Sequence, residues 1–307
     1  MSEKKHDKRN SEMSNPQHIG FIGLGVMGEP ICRNLARKSG APVLAFDLSK
    51  EPLARLAADQ VKAVATPAEV MQQCDVVFLS LPSGEVVDKL SREANGLLAN
   101  ARSGQIVIDL STSAVNTTRA LAKEFEARGA HLVDAPVART RAAAEAGTLA
   151  VFVGATPELF AQVQPLIATF ASDIALCGPV GCGQVLKILN NMMLFENVVA
   201  ISEAKNIGER AGVDPKVLFE TLTQGSADSF ALRNHGMKAV LPGEFPERAF
   251  SVKYAQKDLH YALQLADETG VDARGARVVD AWFNQAIADG AGENYHPVIS
   301  TLMTKKS

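Results

Sequence analysis

The stretch His18-Ile19-Gly20-Phe21-Ile22-Gly23-Leu24-Gly25-Val26-Met27-Gly28 decides the fold. Its first half is a short apolar strand, and its second half is a glycine turn that opens a helix. In a Gly-x-Gly-x-x-Gly turn, Gly23 permits the tight bend, Gly25 lets backbone approach a phosphate, and Gly28 lets helix and strand pack closely. The turn formed by Gly23, Leu24, Gly25, Val26 and Met27 then presents a helix N-terminus, with its free N–H groups and positive dipole end, to a dinucleotide pyrophosphate.

The residues downstream support that reading. A helix-like segment from Glu29 to Lys38 leads to a second apolar run, Pro42-Val43-Leu44-Ala45-Phe46-Asp47, which ends in an acid 19 positions past Gly28. An acid there binds a ribose 2′-OH and repels a 2′-phosphate, so NAD is expected over NADP. Further apolar runs follow at Asp75–Ser80, Gln105–Leu110, His131–Asp134 and Leu149–Val153, separated by amphipathic segments. Continuous apolar runs alternating with helices predict an α/β fold with a doubly wound parallel sheet of Rossmann type. Ligands of such sheets collect beyond the carboxyl ends of the strands. The turns Ser80-Leu81-Pro82-Ser83 and Asp109-Leu110-Ser111-Thr112-Ser113 therefore nominate Leu81, Pro82 and Thr112 as cofactor contacts.

After Ile174-Ala175-Leu176-Cys177 the pattern changes to helix after helix, with a long amphipathic segment from about Gln184 to Ala211 and another from Val252 to Thr269. The expected organisation is a disordered polar tail over 1–17, a dinucleotide-binding domain over 18–180 and an all-helical substrate and dimerisation domain over 181–307. The chain is 47% hydrophobic, with a net charge of −3 and a pI near 6.1. That balance gives no basic field for nucleic acid or an anionic membrane. No run approaches 18 uninterrupted apolar residues, so a cytoplasmic, non-membrane protein is expected. The four cysteines and six histidines show no metal-ligand spacing, and no metal is expected.

Lys187 and Asn191 are four apart and share a helix face, with Gly183 one turn earlier opening room beside them. A lysine desolvated there has its pKa lowered and can exchange a proton with a substrate hydroxyl or carbonyl. Taken alone, a lysine at such a position is ordinarily a solvated surface residue.

Several motifs in order resemble the β-hydroxyacid dehydrogenase family. They are Gly23-Leu24-Gly25-Val26-Met27-Gly28, Asp134-Ala135-Pro136-Val137, Ala146-Gly147-Thr148-Leu149, Gly183-Gln184-x-x-Lys187-x-x-Asn190-Asn191 and Lys257-Asp258-Leu259. The resemblance runs from His18 to about Tyr295. It implies an NAD-dependent oxidoreductase acting on a small 3-hydroxy acid or its semialdehyde, as 3-hydroxyisobutyrate, tartronate semialdehyde and sulfolactaldehyde enzymes do. It further implies Lys187 as acid/base, Asn191 as the residue that orients substrate, Asn190 beside it, Lys257 as a cofactor or closing contact, and a homodimer or homotetramer. One departure concerns the acid-binding loop. Many members carry Ser-Gly-Gly after Asp-Ala-Pro-Val, whereas this chain has Ala138-Arg139-Thr140-Arg141, similar to the Arg-Thr of the sulfolactaldehyde branch. Arg139 offers a planar cationic fork to a small anionic substrate, so Ala138, Arg139 and Thr140 are the expected substrate contacts; as loop arginines, Arg139 and Arg141 also read as solvated charges. Oxidative decarboxylation implies a much longer helical domain. Two alternatives stand beside this reading: an imine reductase-like enzyme, although imine reductases generally replace the lysine that Lys187 retains, and a non-catalytic NAD-binding sensor or scaffold, against which the retention of Lys187 and Asn191 argues.

Overall fold

A computed structural model describes residues 18–247 and 249–303; the expected disordered tail, 1–17, lies outside the described residues. The strands are β1 (Ile19–Ile22), β2 (Val43–Phe46), β3 (Lys62–Ala63), β4 (Val76–Leu79), β5 (Ile106–Asp109), β6 (His131–Asp134), β7 (Val137–Ala138), β8 (Leu149–Gly154) and β9 (Ala171–Gly178). The helices are α1 (Gly28–Lys38), α2 (Lys50–Leu56), α3 (Pro67–Gln73), α4 (Gly84–Arg92), α5 (Val115–Glu126), α6 (Arg141–Ala146), α7 (Pro157–Ile167), α8 (Cys182–Arg210), α9 (Pro215–Leu222), α10 (Val252–Thr269) and α11 (Arg274–Ala288). Contacts divide the chain into two compact units. One takes the chain to Ser111 and Asn116–Gly183; the other takes Thr112–Val115 and the chain from Gln184 on.

The sheet of the first unit runs in the order β3-β2-β1-β4-β5-β6-β8-β7, with β9 on β8. From β3 to β6 the pairing is parallel and the register unbroken across the centre: Ile22, Leu79 and Asp109 end adjacent strands side by side. This is the doubly wound Rossmann sheet, with its strand order reversing beside β1. Successive side chains face opposite sides of a strand, and the apolar runs fill both. Ile19, Phe21, Val76, Phe78, Ile106 and Ile108 meet α1 and α7 on one face. Ile22, Val77, Leu79 and Val107 meet α3, α4 and α5 on the other. The last apolar run departs from the parallel order, since β8 is antiparallel to β6 and β7. The two-residue β7 and six-residue α6 between them make a hairpin-like return in place of a helical crossover.

Helix α1 forms because Ile31, Cys32 and Leu35 repeat at helical spacing and are fully buried. Glu29 in its first turn and Arg37 and Lys38 in its last complement the dipole. In the second unit, α8 to α11 surround a core of Phe195, Val198, Phe219, Val252, Leu259, Val279 and Phe283. Between α9 and α10 the chain forms a π-helix over Leu232–Val240. By length and apolar content α8 is long enough to cross a membrane, yet it places Phe195 and Val198 in that core and carries Gln184, Lys187 and Asn191. It reads as the central helix of the unit.

Candidate active site

In the first unit the glycine turn is built by close backbone contact. Gly23 has φ +95, and a Cβ on it meets Ser80 O at 2.3 Å; a Cβ on Gly28 meets Gly23 O at 2.1 Å. Gly25, in contrast, has nothing within 4 Å of that position. Helix α1 starts with Met27 at its N-cap and no side chain capping its N–H groups. An open face at Gly25 beside an N-terminus not latched by a side chain fits a dinucleotide pyrophosphate. Val26 is exposed at the turn. Asp47 follows β2 and accepts from Leu24 N–H at 2.6 Å and from Ser49 N–H at 2.7 Å. Each of its oxygens retains a lone pair for a hydroxyl. Leu81 N–H donates to Ser111 Oγ at 2.9 Å, and Pro82 is exposed beyond it.

The same unit holds the loop between β7 and α6. Ala138 is half-buried at the end of β7, and the exposed Thr140 caps α6 by accepting from Ala143 N–H. Arg139 has one nitrogen of its fork, Nη1, engaged within its own unit. Its guanidinium donates to Thr148 O at 2.7 Å and Ser172 Oγ at 3.0 Å and pairs with Asp173 at 2.8 Å, bracing the loop to β9. The Ser172 hydroxyl and Arg139 together hold the Asp173 carboxyl below its usual range. Arg141 pairs with Glu145 along α6, both exposed.

In the second unit α8 and α10 bring Lys187, Asn190, Asn191 and Lys257 into one network. Lys187 Nζ donates to Asn191 Oδ1 at 3.2 Å, and exposed Asn190 donates to the same oxygen at 3.1 Å. Asn191 Nδ2 donates to the fully buried Asp258 at 2.8 Å, which fixes the amide with its carbonyl toward the lysine. Lys257 Nζ lies 2.9 Å from the other Asp258 oxygen, off the hydrogen-bond direction, and 4.3 and 5.3 Å from the ring centres of Tyr254 and Tyr261. Burial pushes the half-buried Lys187 ammonium below the ordinary lysine range; Asp258 opposes that shift and Lys257 adds to it. Thr112 is buried and belongs with this unit rather than with the sheet.

Sequence reasoning assigned no role to Asp258, Tyr254 or Tyr261. The signal was present in Tyr254-x-x-Lys257-Asp258-x-x-Tyr261, whose spacing puts both rings beside Lys257 on one helix face. The sequence pattern gives Gln184 a place in the motif and no role of its own.

Comparison with known proteins gives a consistent picture. Residues 18–178 match the NAD binding domain of 6-phosphogluconate dehydrogenase, and residues 181–302 match the NAD-binding domain of NADP-dependent 3-hydroxyisobutyrate dehydrogenase. The chain is 33% identical over 274 residues to 2-(hydroxymethyl)glutarate dehydrogenase of Eubacterium barkeri, covering 89% of this chain and 90% of the relative. It is 34% identical over 262 residues to mitochondrial 3-hydroxyisobutyrate dehydrogenase of Mus musculus, covering 84% and 78%. Among solved structures, 3-hydroxyisobutyrate dehydrogenase of Mycobacterium tuberculosis with L-serine superposes with a TM-score of 0.85 at 30% identity, covering 94% of this chain and 99% of that one. Imine reductases also match, at 15–17% identity, a likeness of fold alone.

Proposed function

The chain belongs to the β-hydroxyacid dehydrogenase family, and we propose that Lys187 is the general acid/base of its reaction at the C–OH of a small 3-hydroxy acid. The bound nicotinamide supplies or accepts the hydride. The observation that carries the assignment is the half-buried lysine hydrogen-bonded to an asparagine whose own orientation is fixed by Asp258. In oxidation, Lys187 as the free amine takes the substrate hydroxyl proton; in reduction, the ammonium returns it to the carbonyl oxygen. Burial lowers the Lys187 pKa and so favours the free amine over the ammonium. Asn191 and Asn190 orient the substrate oxygen, and Lys257, held by two tyrosine rings, contacts the cofactor. Gly23, Leu24, Gly25, Val26 and Met27 hold the pyrophosphate, Asp47 the adenosine ribose, and Leu81, Pro82 and Thr112 the nicotinamide ribose.

The deciding experiment is steady-state turnover of wild type, Lys187→Met and Lys187→Arg with NAD and a panel containing 3-hydroxyisobutyrate, 2-(hydroxymethyl)glutarate and their sulfonate analogues. Both variants lose roughly a hundredfold or more in kcat, the range for a lost acid/base, while NADH fluorescence titration shows unchanged nucleotide affinity. Retention of activity in either sinks the assignment. Wild-type kcat for oxidation rises with pH through the lowered Lys187 pKa, and kcat for reduction falls through it; matching pH profiles in both directions contradict the role.

Asp47 supports NAD over NADP, and comparable turnover with the two excludes that preference. For the acid group of the substrate we propose the loop Ala138-Arg139-Thr140. Asp173 takes Nη1 of the guanidinium and leaves Nε and Nη2 for a substrate anion, and Arg139→Ala raises KM by roughly three- to tenfold. Homo-oligomerisation in the cytoplasm is the remaining part of the proposal. Leu186, Met193 and Ile207 on α8 support it: they are spaced on a seven-residue repeat and are 43, 59 and 69% exposed. Light scattering that returns the mass of a single chain refutes it.

A further inference from the structure

The segment between β5 and α5 does not stay with the sheet. The chain leaves the first unit at Ser111 and rejoins it at Asn116, and Thr112–Val115 groups with the helical unit. Its contacts there include a hydrogen bond and an apolar cluster. Ser113 N–H donates to Gln184 Oε1 at 3.0 Å, between residues 1% and 0% exposed. Val115 packs with Ile188, Tyr261 and Ala262 in a small apolar cluster bordered by Ala114 and Val185.

Helical spacing makes this attachment specific to the proposed site. Gln184, Lys187 and Asn191 lie at i, i+3 and i+7, on one face of α8. A peptide group is planar, so a bond that fixes Ser113 N–H also fixes the direction of the Thr112 carbonyl across the same plane. Packing alone does not do this, because Ala114 and Val115 sit two and three residues beyond Thr112 and exert no directional pull on its peptide. An apolar side chain of equal volume at 184 fills the space at less desolvation cost but leaves the strap free to turn.

We propose that Gln184 is a positioning residue that ties Thr112 to the helix of Lys187, keeping the nicotinamide-ribose contact and the proton-transfer group at one spacing. The inference rests on the roles given above to Lys187 and Thr112. It acts through the strap and not on the lysine, which separates its expected behaviour from that of Asn191.

The test compares wild type with Gln184→Met, Thr112→Ala, their double variant and Lys187→Met, using NAD and whichever acid of the panel is oxidised fastest. Gln184→Met, which keeps the length and loses the acceptor, lowers kcat by roughly ten- to a hundredfold, the order expected for a displaced reacting group. The pH midpoint of its residual kcat matches wild type. The double variant is no slower than the slower single variant, because both act through one loop. Multiplying effects, a shifted midpoint or a wild-type kcat in Gln184→Met overturns the proposal. If Lys187→Met keeps its activity, the catalytic reading fails and this inference falls with it; an inactive Lys187→Met beside a fully active Gln184→Met removes the inference alone. Should Gln184→Met not fold, hydrogen exchange on the wild type decides: the Ser113 amide is protected in the free enzyme, and exchange at the rate of an open loop refutes the attachment.

Discussion

Arg139 holds φ +86, a left-handed value that costs a side-chain-bearing residue about 1 kcal/mol or more. Glycine adopts this backbone without strain. What holds the arginine in place is the three-way attachment of its Nη1 to Thr148, Ser172 and Asp173, in which the ion pair is screened by solvent. Arg139→Ala loses the attachment and keeps the strain, whereas Arg139→Gly loses both. Urea melts should therefore find the glycine variant more stable than the alanine variant by about 1 kcal/mol; equal stabilities contradict a strained loop. The sequence marked this residue as a departure, but neither its dihedral nor its partners on β9 were legible. Those partners lie 33 and 34 positions downstream, in a strand whose register no local pattern reports.

At the scale of elements, the start of α8 shows how a motif glycine is misread. Gly183 was expected to open room beside Lys187. Its position is instead closed: an added Cβ meets Phe152 O at 2.3 Å and Asp134 Oδ2 at 2.8 Å. The buried Asp134 carboxylate also accepts Gly181 N–H at 2.7 Å, anchoring the chain just before a 29-residue helix. Gly183→Ala forces backbone or a buried carboxylate to shift, a cost of about 1–3 kcal/mol. The expected outcome is a lower midpoint in thermal melts, and an unchanged midpoint refutes the packing argument. Elements whose residues repeat locally were legible. The apolar runs fall on β2, β4, β5, β6 and β8 to within a residue at most ends, and α10 spans Val252–Thr269 as read. The π-helix over Leu232–Val240 was not, because one extra residue per turn removes the 3.6-residue period that reports a helix. The antiparallel return of β8 was equally hidden, since a buried strand reads the same in either direction.

For the molecule as a whole, the two units respond to acid through different groups. The helical unit buries two imidazoles. His296 is fully buried among Phe195, Phe250, Phe283 and Tyr295, and His235, on the π-helix, hydrogen-bonds Tyr295. Burial lowers His235 from 6.5 to about 4 and His296 in the same direction. Both therefore fold neutral. Above pH 6.5 neither state binds the proton and their full contribution is present; between 6.5 and 4 the unfolded chain takes up protons that the native unit refuses, and stability falls. In the first unit, the Arg55 hydrogen bond is the main cause holding Glu29 at about 2, against burial and with help from Arg33. That carboxylate is ionised in the native state, so its contribution is present above pH 4.5 and is lost only as pH falls through about 2. The helical unit thus weakens first on acidification. Trp282, the single tryptophan, packs against the helical core and reports on that unit. Urea unfolding followed by Trp282 fluorescence should lose roughly 2 kcal/mol between pH 7.5 and pH 5 from His235 alone, and more with His296. His235→Phe should remove the His235 part of that dependence while keeping an aromatic ring in the cluster. A Trp282 transition at the same urea concentration at both pH values shows that the imidazoles are not the acid-sensitive element of the fold.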